Sequence, residues 1–129
     1  KENKEKSYPN SPSGMPGVQT LMPVMLSHVN DGKLSLEQLM NSVCENPVKI
    51  FGIKDKGFIK EGFDADFTIV DMNKKILIKN EKIESKCGWS PFDGCEFKGT
   101  PVSTIVNGQI KMKNSQILGE PEGKALKFK

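Results

Sequence analysis

The chain has 129 residues, enough for one ordinary domain and too few for two. Hydrophobic residues make up 36% of it, so the core should be modest. Lys and Arg number 19 against 16 Asp and Glu, and because both signs are mixed along the chain we expect no nucleic-acid-binding surface. Apolar runs fall well short of the ~20 residues of a membrane span, so we expect no membrane segment either.

The cysteines indicate the redox compartment of the protein, and the first residue bears on whether the chain is part of a longer one. Cys44, Cys87 and Cys95 form no CxxC pair and have no histidine nearby in sequence, so they do not predict a zinc site. Reduced thiols in a cytoplasmic protein are the simplest interpretation, although a Cys87–Cys95 disulfide stays open. The sequence begins at Lys1 without a signal-peptide pattern, from which we expect a piece of a longer chain.

The first half of the sequence predicts helices. A charged opening, KENKEKSYPN, should be mobile or depend on a partner surface, and the stiff loop SPSGMPGVQT follows it. Thr20 is positioned to cap a helix over Leu21–Val29, with Pro23 in its first turn, and Asn30-Asp31-Gly32 should end it. Ser35 and Gln38 form a capping-box pattern before an apolar face of Leu36, Leu39, Met40 and Val43. Asn46-Pro47 should break this second helix, with a short helical turn resuming in VKIFGI.

After Gly52 the pattern predicts strands. The clearest is Phe67–Val70, and a strand pair is predicted from LIKN through turn residues to KIES. Within STIVNGQIKMK, Asn107-Gly108 separates two apolar-rich runs, as a type I′ hairpin turn requires. Helices followed by strands in so short a chain suggest the tail of a larger α/β enzyme with an appended sheet.

Three features could support chemistry, and each has a structural alternative. His28, the only histidine, lies among apolar residues, where a structural role is more common than a catalytic one. Asp64 and Asp66 could bind metal or exchange protons, or could cap backbone groups at the entry to a strand. Gly14-x-x-Gly17 before a helix could cradle an anion or could simply pack the loop. These residues do not assemble a complete catalytic or metal site.

Longer motifs resemble a known family over nearly all of residues 7–113. SPSGMPGVQT with LMPVML, NPVKIFGI and KGFIKEGFDADFTIVD resembles the closing third of amidohydrolase-superfamily enzymes. The run KCGWSPFDGCEFKGTPVSTIVNGQI is more particular and resembles dihydroorotases of the long bacterial and multifunctional-type class. The first motif is shared with hydantoinases and allantoinases, whereas the second favours dihydroorotases among these enzymes.

The resemblance implies a fold and an activity. Dihydroorotases interconvert N-carbamoyl-aspartate and dihydroorotate in pyrimidine biosynthesis, using zinc on a (β/α)₈ TIM barrel. By resemblance, residues 1–52 would be the last active-site loop and terminal helices of that barrel, and residues 53–129 the C-terminal strands of the flanking β-sandwich and a tail. The family's zinc ligands and catalytic aspartate would all lie before Lys1, so this chain alone should bind no metal and be inactive.

One family role falls inside the chain. Carried over by position, Ser13 and Gly14 would contact the substrate through their backbone, while Pro12, Pro16 and Gly17 would shape the loop. His28, Asp64, Asp66 and the cysteines match no functional position of the family.

The resemblance also implies partners and leaves two alternative functions. The missing N-terminal barrel segment, or a second copy in a homo-oligomer, should cover strand edges that would otherwise stay unpaired. One alternative is a non-catalytic sandwich-and-helix module acting as partner or scaffold for an active barrel. The other is the tail of a hydantoinase or allantoinase.

Overall fold

The computed structural model describes residues 2–129; Lys1, the first residue of the segment expected to be mobile, lies outside that range. Helices precede strands, which confirms the predicted mixed α/β organisation. A 3-10 turn at Glu2–Lys4 is followed by α1 (Leu21–Asn30), α2 (Leu36–Met40), a π-helical turn (Asn41–Glu45) and α3 (Asn46–Phe51). The strands are β1 (Phe67–Leu77), β2 (Glu96–Val106), β3 (Gln109–Lys113) and β4 (Gln116–Ile117), with a 3-10 turn at Asn80–Lys82.

Helix α1 runs one residue beyond the predicted Leu21–Val29, and the predicted side-chain cap is wrong. Thr20 has helical rather than extended φ and ψ, and its hydroxyl donates to the Gly17 carbonyl at 3.3 Å. An N-cap oxygen normally accepts from the N–H of the second or third helical residue. The third residue of α1 is Pro23, which has no N–H, so the threonine oxygen lacks one of its usual donors.

The capping box at the start of α2 is confirmed, whereas the predicted break at Pro47 is wrong. Ser35 N–H donates to Gln38 Oε1 at 2.7 Å, and Gln38 N–H donates to Ser35 Oγ at 3.1 Å. Helical structure then continues from α2 to α3, because the chain widens into a π-helical turn in which Asn46 N–H donates to the Asn41 carbonyl. Pro47 therefore sits in the first turn of α3, where its missing N–H costs little.

The strands form one antiparallel sheet in the order β1-β2-β3-β4. The predicted hairpin turn is confirmed, with φ of 50° at Asn107 and 80° at Gly108, as a type I′ turn requires. The predicted strand pair from LIKN to KIES is wrong. Leu77 ends β1, Asn80–Lys82 form a 3-10 turn, and residues 83–85 are not in a strand. The polar run of residues 79–82 turns the chain away before a second strand can pair.

Helix α1 packs on β2 where β1 bulges. Residues 72–74 of β1 are unpaired opposite Gly99, since Asp71 pairs with Thr100 and Lys75 with Lys98. Asn30 fills the gap: its Nδ2 lies 3.0 Å from both the Met72 and the Lys98 carbonyl oxygens, which the broken ladder leaves available. Helix and bulged sheet are thus joined through one side chain.

The hydrophobic core is small, and much apolar surface is exposed. Among residues 2–129, the buried hydrophobic side chains are those of Leu26, Leu39 and Ile78. Of the predicted apolar face of α2 and its continuation, Leu39 is buried, whereas Leu36 and Met40 are 45% and 46% exposed. Further exposed large hydrophobic residues include Val18, Ile50, Phe51, Ile59, Ile69, Ile117 and Phe128.

The end of the chain returns to the helical half. Lys54 N–H donates to the Lys127 carbonyl, and Lys129 N–H donates to the Gly52 carbonyl, each at 2.8 Å. These bonds flank a short bridge between Ile53 and Phe128. Within the described part of the chain, no helix has the length and apolar character needed to cross a membrane.

Candidate substrate-binding loop

Residues 12–17, here called the proline-glycine loop, connect the N-terminal segment to α1. Ser11 Oγ donates to the Lys4 carbonyl at 3.2 Å, and Lys4 Nζ donates to the Pro12 carbonyl. At the other end, the Gly17 carbonyl accepts from Thr20 N–H at 3.1 Å and from Leu21 N–H at 2.8 Å. Both ends of the loop are therefore anchored.

The middle of the loop faces outward. Ser13 and Gly14 are exposed, and Gly14 has φ of +84°, a conformation that side chains rarely adopt. A Cβ built at Gly14 would have no heavy atom within 4 Å among the described residues. Pro16 and Gly17 are half-buried, and Gly17 does not have a positive φ. The structure thus brings Ser13 and Gly14 to an open surface.

Gln19 joins the proline-glycine loop to a segment more than sixty residues away. Its Nε2 donates to the Lys82 carbonyl at 2.9 Å, and its Oε1 accepts from Glu84 N–H at 2.9 Å. The carboxamide therefore pairs with the backbone at two points, as a strand would. Sequence reasoning missed this residue, because a glutamine next to a helix start has no local signature.

Gln19's partner segment belongs to a closed loop, residues 79–94, which contains the sequence KCGWSPFDG. Its base is closed by Ile78 N–H to the Cys95 carbonyl and by Gly94 N–H to the Ile78 carbonyl, both at 2.9 Å. Asn80 Nδ2 and N–H each donate to the Asp93 carboxylate at 2.8 Å, and Asn80 Oδ1 accepts from Ser90 N–H at 2.7 Å. These bonds brace the closed loop across its width.

A cavity of about 70 Å³ lies between the two loops. Pro16 and Gly17 line one side, and Ile83, Trp89 and Ser90 line another. Pockets that hold drug-sized molecules typically enclose ~300 Å³ or more. The cavity is therefore too small to enclose such a molecule among the described residues. A cavity of about 300 Å³ lies elsewhere, between α3 and residues 53–63, and includes none of the predicted site residues.

Asp66 caps a backbone N–H group, and the carboxylates of Asp64 and Asp66 both form an ion pair with Lys56. Asp66 Oδ1 accepts from Asn107 N–H at 2.7 Å, and Lys56 Nζ contacts both carboxylates. The hydrogen bond from Lys56 holds the pKa of Asp66 below its usual 3.8, and the same bond raises the pKa of Lys56. The Lys56 ammonium group occupies the position that a metal ion bound by these two carboxylates would take, which favours the backbone-capping interpretation.

His28 and the cysteines do not assemble a reactive centre. His28 Nδ1 lies 3.4 Å from Lys33 Nζ, an arrangement unlike a metal site. All three cysteines are free thiols, so the open Cys87–Cys95 pairing is not formed. Burial raises the pKa of Cys44, whereas the hydrogen bond with Ser85 lowers that of Cys87. Among residues 2–129, no group of three or more His, Cys, Asp or Glu side chains could hold a metal ion.

Comparison with known proteins gives consistent matches. The amidohydrolase family model matches residues 10–111. A dihydroorotase of Pyrococcus furiosus is 41% identical over 114 residues, covering 88% of this chain and 27% of that protein. The solved structure of an L-hydantoinase from Arthrobacter aurescens matches with a TM-score of 0.82 and 37% identity, covering 86% of this chain and 25% of that one.

A third relative shares the fold at lower identity. The inactive dihydroorotase-like domain of a CAD-like multifunctional protein from Chaetomium thermophilum has a TM-score of 0.66 and 19% identity, covering 91% of this chain and 30% of that one. The chain thus spans between a quarter and a third of the length of these three relatives.

Proposed function

Because the chain belongs to the amidohydrolase family, whose members here include cyclic amide hydrolases, we propose that it is the C-terminal part of a dihydroorotase. The complete enzyme would interconvert N-carbamoyl-aspartate and dihydroorotate in de novo pyrimidine biosynthesis. The observation that carries the proposal is the 41% identity to a dihydroorotase over 114 residues. The match to the amidohydrolase family model, over residues 10–111, includes the proline-glycine loop.

In this proposal the chain contributes a wall of the substrate pocket. Ser13 and Gly14 would meet the substrate through their backbone groups, and Pro12, Pro16 and Gly17 would hold the loop's shape. The open side of Gly14 supports this role, since only a residue without Cβ lets a ligand approach the backbone so closely. A stiff loop also loses little conformational entropy on binding.

Zinc would be held by residues outside the described chain. The donor set of residues 2–129 does not fit the metal, because no three potential ligands come together and the one histidine faces a lysine. The family resemblance assigns the ligands and the proton-moving aspartate to a preceding barrel segment. We therefore expect this chain alone to be inactive. We also propose that the complete enzyme acts in the cytoplasm.

The exposed apolar surface supports a larger assembly. Residues 1–52 would complete a barrel and residues 53–129 a β-sandwich, so each half would pack against structure supplied by the preceding segment or by a second copy. Ile50, Phe51 and Ile59 are exposed by 74%, 65% and 86%, amounts that a partner surface would reduce. β1 also pairs on one side only, which leaves an edge available for another strand.

A hydantoinase is the second candidate, favoured by the match to the L-hydantoinase structure. A non-catalytic scaffold module is the third, and its support is the shared fold of the inactive dihydroorotase-like domain. The KCGWSPFDG sequence favours dihydroorotase over hydantoinase, on the resemblance described above.

The test is to sequence the reading frame upstream of the Lys1 codon, express the complete frame, and assay ring opening of dihydroorotate and of a hydantoin. An upstream HxH pair, bound zinc and turnover of dihydroorotate support the proposal. Preferred turnover of the hydantoin would replace it with the second candidate. A frame without metal ligands, and without either activity, would replace it with the scaffold module.

A further inference from the structure

The closed loop containing KCGWSPFDG lines the small cavity beside the proline-glycine loop, but none of its residues is proposed to contact the substrate. We propose that it positions the proline-glycine loop, and that Gln19 is the positioning residue through which it acts. This inference rests on the proposed function, because it assigns a role within the same substrate site.

Gln19 lies between a well-buried segment and an exposed one. On its C-terminal side, Thr20 is 2% exposed and leads into α1, whose Leu26 is 1% exposed. On its N-terminal side lie Gly17 and the open middle of the proline-glycine loop. Without the Gln19 bonds, this side of the loop would be held mainly by the start of α1 and by contacts across the small cavity.

Both hydrogen bonds need a carboxamide. The Lys82 carbonyl requires a donor, and the Glu84 N–H requires an acceptor, so one side chain must supply both at 2.9 Å. A glutamate at position 19 would keep the acceptor and would place a second oxygen against the Lys82 carbonyl. An alanine would lose both bonds.

The other end of the connection is fixed to the sheet. Ile78 is 6% exposed and bonds across the base of the closed loop, while the Asn80–Asp93 pair braces it. Lys82 and Glu84, which meet Gln19, lie shortly after this brace. A continuous set of bonds therefore runs from the sheet through the closed loop to Gln19 and the proline-glycine loop.

Because the connection acts on the loop and touches no reacting atom, its loss should weaken substrate binding without slowing the chemical step. Gln19 is exposed, so water replaces part of what is lost. From the usual net value of hydrogen bonds, we expect Gln19→Ala to raise KM about fivefold and to change kcat less than about twofold.

The experiment uses the protein expressed from the complete reading frame, with Gln19→Ala, Gln19→Glu, Asn80→Ala and the double variant Gln19→Ala/Asn80→Ala. Gln116→Ala, an exposed glutamine of β4, is the matched control. Measurements are kcat and KM for dihydroorotate, Tm, and hydrogen exchange of the peptide that spans residues 12–18. Hydrogen exchange does not need activity, so it tests the connection even if the proposed function fails.

The positioning role predicts faster exchange of residues 12–18 and higher KM in Gln19→Ala. The effect of Gln19→Glu should be at least as large, because its second oxygen would oppose the Lys82 carbonyl. Asn80→Ala should act in the same direction, and the double variant should be no worse than Gln19→Ala, because both residues serve one connection. Unchanged exchange in the loop would overturn the inference. So would a lower Tm with KM within about twofold of the wild type, which indicates a purely structural bond.

Discussion

Gly14 in the proline-glycine loop and Gly99 in β2 both have a positive φ, +84° and +99°, but their surroundings are opposite. A Cβ at Gly99 would lie 2.8 Å from the Leu26 Cβ and 3.2 Å from Asn30 Nδ2, whereas a Cβ at Gly14 would meet no described atom within 4 Å. Glycine is therefore required at position 99 by packing and by backbone conformation together, and at position 14 by backbone conformation alone. The difference separates a packed junction between α1 and the sheet from an exposed loop surface.

The largest effect should come from Gly99→Ala. The added methyl group would overlap α1 and would also force alanine into an unfavourable φ, so we expect the free energy of unfolding to fall by about 3 kcal/mol. Denaturant unfolding of the complete protein measures this change. Gly123→Ala is the control, because Gly123 has no positive φ and no described neighbour within 4 Å. Equal stability of the two variants would mean that α1 does not press on Gly99.

Asn30→Ala tests the same junction from the helix side. Removing the Nδ2 donor takes one partner from the Met72 and Lys98 carbonyls, and because Asn30 is exposed, water replaces part of what is lost. We expect the free energy of unfolding to fall by about 1.5 kcal/mol. Thermal and denaturant unfolding give the value, with the exposed Asn10→Ala as control. A loss no greater than that of the control would show that water satisfies the bulge as well as Asn30 does.

Gly14→Ala tests the open surface. Only the backbone strain applies, so stability should fall by about 1 kcal/mol. KM for dihydroorotate should rise about tenfold, since the methyl group occupies the proposed side of substrate approach. Gly119→Ala is the matched control, because Gly119 also has a positive φ, +64°, but lies outside the loop. If both variants change KM equally, strain rather than substrate contact is responsible.

The smallest effect should come from the partly exposed Lys56–Asp66 pair near the hairpin turn. The pKa of Asp66 is lowered in the folded chain, so its contribution is present above the unfolded pKa of 3.8 and is lost as pH falls through the folded value. The raised pKa of Lys56 has the opposite sign: its contribution is present below 10.5 and is lost as pH rises through the folded value.

Lys56→Met should therefore cost less than about 1 kcal/mol at neutral pH and should reduce the loss of stability on acidification. Denaturation at about pH 6 and about pH 2 measures this difference. Lys75→Met, which removes a more exposed ion pair with Glu96, is the control. An acid dependence identical to the wild type would mean that the Lys56 pair contributes nothing.

Local sequence patterns determined the elements whose stabilising groups lie within a few residues. The Ser35–Gln38 capping box and the Asn107-Gly108 turn were predictable because each is completed by its own neighbours. Local reasoning was wrong at Thr20 and Pro47, where a proline's missing N–H was met by a different hydrogen-bond arrangement. The family, too, could be identified from sequence, since its motifs are contiguous.

Only the tertiary structure decided which distant groups meet. Gln19 and Glu84 are 65 residues apart, and Asn30 and Lys98 are 68 apart, so neither pairing has a periodicity or spacing to reveal it. The sequence alone singled out Gly14 in its proline-glycine loop and gave no sign that packing requires glycine at position 99. Their difference is the presence of Leu26 beside one of them, which arises when α1 packs on the bulged sheet.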